Sequence, residues 1–138
     1  MALYTIGDTH LSLGSSKPMD VFGGAWEGYV DKLAQGLSIL QPEDTLVIAG
    51  DISWGMSLEE AEADFAWLDA LPGTKILMKG NHDYWWNTAS KMNRFFQEKG
   101  FTTLRILHNN CHLYGETALC GTRGWFYEED KPGQSQKV

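Results

Sequence analysis

The sequence predicts an α/β fold, a mostly parallel sheet with helices on its faces. Two observations carry that prediction. Short apolar runs rich in β-branched residues alternate with longer stretches of helical periodicity, in the order βαβαβα followed by further strands. The chain has 138 residues, 43% hydrophobic and 21% charged, which is enough to bury the core of one domain and too few for two.

Residues 2–7 (ALYTIG) read as a buried strand ending at Gly7. Over 22–40, Trp26, Val30, Leu33, Leu37 and Leu40 recur at helical spacing and form one stripe, and Pro42 stops the helix. Residues 45–50 (TLVIAG) are too short for a helix and form the second strand. Ser57 and Glu60 make a capping box that opens a helix over 58–71, with Leu58, Ala61, Phe65 and Leu68 inward and Pro72-Gly73 as its stop. Residues 74–79 (TKILMK) are the third strand. A helix over 87–99 follows, with Met92, Phe95 and Phe96 inward and Gly100 as its C-terminal stop. Residues 102–107 and 111–121 are strands joined by a turn at Asn109-Asn110, and 128–138 is a polar tail.

Charge narrows the function classes. Eleven Lys and Arg against 18 Asp and Glu give a net charge of −7, which disfavours nucleic acid and anionic membranes as partners. No apolar run approaches the ~18 residues of a membrane span. The first residues carry no secretory pattern, and Cys111 and Cys120 are expected to be reduced thiols of a cytoplasmic protein, with a Cys111–Cys120 bridge as the open alternative.

Three polar motifs follow the first three strands: Asp8-Thr9-His10, Gly50-Asp51 and Gly80-Asn81-His82-Asp83. Parallel strands bring their C-terminal ends to one sheet edge, so Asp8, His10, Asp51 and Asn81 converge. Two carboxylates, an imidazole and an amide oxygen suit Mn, Fe, Zn or Mg better than a soft ion. Alone, an Asp-x-His is about a one-in-four accident, whereas Gly-Asn-His-Asp is about a one-in-a-thousand accident. The ordered set is therefore the specific signal.

That set, with the wider stretches Gly50–Met56 (GDISWGM) and Gly80–Trp86 (GNHDYWW), resembles the calcineurin-like metallophosphoesterases, in a bacterial branch of predicted phosphohydrolases. The resemblance implies the N-terminal part of an αββα sandwich with a dinuclear metal centre. It implies Asp8 and His10 on the first metal, Asp51 bridging, Asn81 on the second, His82 at the leaving group and Asp83 orienting His82. The reaction implied is hydrolysis of a phosphomonoester or diester by a metal-activated hydroxide. The family's later His ligands have no counterpart, since His108 and His112 fit a turn and a strand. The expectation is thus a C-terminally truncated domain over 1–138 with doubtful occupancy of two divalent sites and weak or no turnover. Exposed sheet edges would then favour a homodimer.

The alternative is a non-catalytic interaction or regulatory module derived from a degraded phosphoesterase. A nucleotide-binding regulator lacks a glycine-rich phosphate loop. Arg123, in Gly121-Thr122-Arg123-Gly124-Trp125, is the candidate for a small substrate's phosphate, against the plainer reading of a loop arginine paired with an acid. Trp85 and Trp86 are expected to pack at a helix start rather than wall a flat leaving group, and Trp54 is read the same way. Glu59, Glu60, Glu62 and Asp64 read as a solvated acidic face.

Overall fold

The computed structural model describes residues 1–16 and 19–123. Its centre is a four-stranded parallel sheet in the order β1 (Leu3–Ile6), β2 (Thr45–Ile48), β3 (Thr74–Leu77) and β4 (Leu104–Ile106). Between them run α1 (Tyr29–Leu37), α2 (Leu58–Asp69) and α3 (Ala89–Lys99). The register sets Ile6, Ile48, Leu77 and Ile106 side by side, so all four strands end at one level. A two-stranded antiparallel sheet, β5 (Asn110–Tyr114) and β6 (Thr117–Gly121), follows. The expected α/β architecture with flanking helices is what the chain builds. Among the described residues no helix is long and apolar enough to cross a membrane.

The core joins Leu46, Ile48 and Leu77 of the sheet to Leu37 of α1, Phe65 and Leu68 of α2, and Met92 and Phe96 of α3. The capping positions match the sequence reading. Ser57 accepts from the Glu60 amide at 3.2 Å, and the Glu60 carboxylate accepts from the Met56 amide at 2.6 Å. Thr88 caps α3, and Gly100 ends it in the left-handed conformation, with the Phe101 amide donating to Phe96 O at 2.8 Å.

Three expectations need correction. The helix expected over 22–40 begins only at Tyr29. Met19–Phe22 and Gly24–Trp26 are 3-10 turns instead, because Gly23 (φ 127°) and Gly28 (φ 64°) take backbone conformations no α-helix contains. The segment 111–121 is not one strand but a hairpin turning at Gly115-Glu116, while β4 pairs with β3 rather than with its successor. Finally, Cys111 and Cys120 are a disulfide rather than free thiols. They sit opposite each other in the hairpin register, with Cα atoms 4.2 Å apart. A cytoplasmic location therefore loses the support that reduced thiols lent it. The polar tail 128–138 lies outside the described residues.

Candidate metal centre

The motif residues leave the sheet by continuing its pairing in a distorted form. The Asp8 amide donates to Gly50 O at 3.0 Å, the His10 amide to Asp51 O at 2.9 Å, and the Leu11 amide to Ile52 O at 2.9 Å. Along this ribbon Asp8 (φ 55°), His10 (φ 42°) and Asp51 (φ 49°) are left-handed. Among the described residues one other non-glycine, Asn109, shares that conformation. Each such residue costs about 1–3 kcal/mol unless its surroundings impose it. Here the cross-loop hydrogen bonds impose it. The crossing with the β3 loop is equally tight: a Cβ on Gly50 would lie 2.7 Å from Gly80 Cα, so neither glycine has room for a side chain.

The result is a convergence of donor atoms. One ligand atom each from Asp8, His10 and Asp51 lies within 4.8 Å of the others. His10 Nε2 stands 3.9 Å from both Asp8 Oδ1 and Asp51 Oδ2. The Asn81 amide lies against Asp51: with its nitrogen inward it donates to Oδ2 at 3.2 Å and to Oδ1 at 3.3 Å. With its oxygen inward it joins the carboxylate as a ligand for a cation. Oxygen and imidazole donors at this spacing fit a hard or borderline divalent ion. Asp8 is exposed and Asp51 buried, so the cluster opens to solvent on the Asp8 side.

His82 sits beside this cluster. Its amide donates to Asp51 Oδ1 at 2.9 Å, and its Nδ1 lies 3.1 Å from Asp51 Oδ2. Burial works to raise the Asp51 carboxyl. The His82 amide and ring bonds, and the charges of His82 and His10, outweigh it and hold the carboxyl below its ordinary value.

Among the described residues Asp83 makes its hydrogen bonds elsewhere than to His82. Its carboxylate, 1% exposed, accepts from the amides of Ile52 (2.8 Å), Ser53 (3.3 Å) and Gly80 (2.7 Å) and from Trp85 Nε1 (3.0 Å). It ties the β2 loop to the β3 loop, and the carboxylate that meets the His82 ring is that of Asp51. Burial pushes the Asp83 carboxyl up despite those four donors. Asp64 corrects an expectation. It is fully buried, not part of a solvated face. Its oxygens accept from the Leu13 amide at 2.8 Å and from Ser53 Oγ at 2.5 Å, clamping α2 to both ligand loops, and burial raises its pKa too.

The aromatic residues divide. Trp85 is fully buried against Phe65, and Trp86 packs on the core and against His108, 5.8 Å between ring centres, as packing residues should. Trp54 does not follow them. Its ring stacks on His10 at 5.0 Å and lies 5.1 Å from His82, and its Nε1 donates to Met19 Sδ at 2.9 Å. Tyr29 Oη donates to His10 O at 2.5 Å, and Trp26 meets the His10 ring edge-on. Sequence reasoning missed these supports, although Trp54 lies inside the GDISWGM stretch and Asp64 falls on the buried stripe between Ala61 and Leu68.

His112 Nε2 lies 2.7 Å from Ile106 O, and neither His112 nor His108 joins the cluster. Arg123, just beyond β6, is close enough to Lys79 for its charge to matter. Burial, then Arg123, push the Lys79 amine down, while Asp83 and Asp51 pull it up. Both cations thus lie on the side of the sheet that holds the ligands.

A solved structure similar to this chain is that of a protein of unknown function, AQ665, from Aquifex aeolicus. It is 24% identical over 86% of this chain and 58% of that one, with a TM-score of 0.48. This chain therefore spans less than two thirds of that protein's length. Among curated proteins none matches. A family model described as calcineurin-like phosphoesterase matches residues 1–131. With the motif residues gathered at one sheet edge in that family's order, the chain belongs to the calcineurin-like phosphoesterases.

Proposed function

We propose that this chain carries the ligand half of a metal-dependent phosphohydrolase site acting on small phosphomonoesters or diesters. The observation that carries the reading is the Asp8, His10 and Asp51 cluster with Asn81 and His82 against its buried carboxylate. Asp8, His10 and Asp51 would hold one divalent ion, and Asp51 with Asn81 would begin a second site. Such ions supply charge for the phosphoryl oxygens and lower the pKa of water. The chain's own residues do the rest. Asp51 holds His82 by Nδ1, which leaves Nε2 as the nitrogen that serves a departing oxygen, by giving it a proton or sharing its charge. Lys79 and Arg123 supply positive charge beside the cluster for a phosphate dianion.

The test is metal content after Mn²⁺ loading and desalting, followed by hydrolysis of p-nitrophenyl phosphate and its bis ester. Bound manganese that Asp51→Asn abolishes, with turnover that His82→Ala lowers by about a hundredfold, supports the reading. Bound metal with equal background rates in wild type and His82→Ala identifies the non-catalytic module instead. The exposed edge of β1, where Leu3 is 42% exposed, supports self-association of this chain, which sedimentation across a concentration series would reveal.

A further inference from the structure

Beside the ligand cluster lies a cavity of about 470 Å³, bounded by Leu13, Ser15 and Ser16 of the β1 loop, Trp54 and Met56 of the β2 loop, and Glu60 at the start of α2. Its size is that of a small-molecule site. Trp54 is common to this cavity and to the cluster, since the same indole stacks on His10 at 5.0 Å and lies 5.1 Å from His82. Trp54 is thus the residue through which the cavity and the cluster adjoin.

The lining chemistry is selective. Trp54 offers an aromatic surface held in place by its Nε1 bond to Met19 Sδ. Ser15 Oγ is the one buried side-chain polar atom among the described residues without a hydrogen-bond partner. Ser15 is also a lining residue of the cavity, so this hydroxyl has no bond within the protein to give up before it meets a ligand there. The Glu60 carboxylate uses Oε2 on the Met56 amide, and its other oxygen adds an acceptor for hydroxyl groups. An aromatic platform beside a hydroxyl and a carboxylate matches a flat heteroaromatic ring carrying a polyhydroxyl group. We propose that this cavity binds the nucleoside part of a phosphoester, which makes the preferred substrate a nucleotide. The proposal rests on the phosphohydrolase reading for the phosphate, but the cavity itself is testable without it.

The experiment titrates adenosine into the 138-residue, nitrogen-15-labelled chain and follows the Trp54 indole N–H resonance, identified by its loss in Trp54→Phe. The expected result is a saturable shift that Ser16→Trp, which fills the cavity from an exposed position, weakens by about tenfold or more. Ser15→Ala should weaken it several-fold. No shift, or one that Ser16→Trp leaves unchanged, overturns the proposal. A parallel titration of the manganese-loaded chain with inorganic phosphate separates the two readings. Phosphate binding without adenosine binding keeps the phosphohydrolase and removes the nucleoside site. Adenosine binding that Ser16→Trp weakens, without phosphate binding, keeps the nucleoside site and removes the phosphohydrolase.

Discussion

The two ends of the parallel sheet use the same device for different purposes. At the N-terminal end, the Asp44 carboxylate accepts from the amides of Ala2 (2.8 Å) and Gln41 (2.9 Å), and Asp69 accepts from the Thr103 amide (2.9 Å). At the C-terminal end, Asp64 and Asp83 do the same for the ligand loops. Among the described residues, only at the C-terminal end are carboxylate-bearing and imidazole-bearing residues forced left-handed, with donor atoms aimed at one another. The N-terminal end is built for stability alone. The C-terminal end spends stability, through strained backbone, on a place where a cation is welcome.

Substitutions at the ligand end should therefore separate metal affinity from stability. The largest effect is expected from Asp51→Asn, which removes one charge from the centre of the cluster. Metal affinity should fall by more than about a hundredfold in titration calorimetry, with thermal stability of the metal-free chain little reduced. The small loss that is expected comes from the charge that the His82 amide and ring and the His10 ring favour on this carboxyl.

Next comes a matched pair. Asp83→Ala leaves three buried amides and an indole without their acceptor and should cost about 3 kcal/mol or more in denaturant unfolding. It should also weaken metal binding by roughly tenfold or more, because it frees the loops that carry Asp51 and Asn81. Asp44→Ala should cost about 1–2 kcal/mol and leave metal affinity unchanged. Equal losses of metal affinity in both would erase the contrast between the two ends.

Much of this contrast was legible in the chain. The apolar runs located the strands, and the polar residues just after them located the ligand edge, because a parallel sheet leaves no choice about where its C-terminal ends gather. Asp64 was legible and misread: it sits on the same helix face as Ala61 and Leu68, yet its acidic neighbours obscured that position. The disulfide follows once the turn at Gly115-Glu116 is known, since Cys111 and Cys120 are equidistant from it. The contacts of Trp54 and the hydrogen bonds of Asp83 were not legible. Both depend on the left-handed path of Asp8, His10 and Asp51, which long-range hydrogen bonds impose and no local pattern encodes.

Lys75 provides a pH test confined to the stability end. Its side chain is fully buried, and Nζ donates to the carbonyls of Asp69, Leu71 and Gly73 at the end of α2. Burial pushes its pKa from 10.5 down to about 8, with Asp69 opposing. Between those values the unfolded chain holds the proton and the folded chain has released it, so stability rises with pH across this window. The gain is on the order of 3 kcal/mol, complete above the unfolded value and lost as pH falls through about 8. Urea unfolding from pH 7.5 to 10.5 should show this rise in wild type and not in Lys75→Met.

The smallest effect tests whether aromatic packing belongs to the metal end. Trp54→Phe keeps a ring over His10 but loses the Nε1 bond to Met19 Sδ, and should cost under about 1 kcal/mol. Tyr114→Phe, at the opposite end, loses a bond of 3.0 Å from its hydroxyl to Met1 O and should cost about as little. The two should part company in metal titration. A ring that drifts over His10 lets the imidazole turn, so Trp54→Phe should weaken binding by a few fold while Tyr114→Phe leaves it unchanged. Identical isotherms for the two variants would mean that the ligand loops alone hold His10 and that Trp54 serves the neighbouring cavity instead.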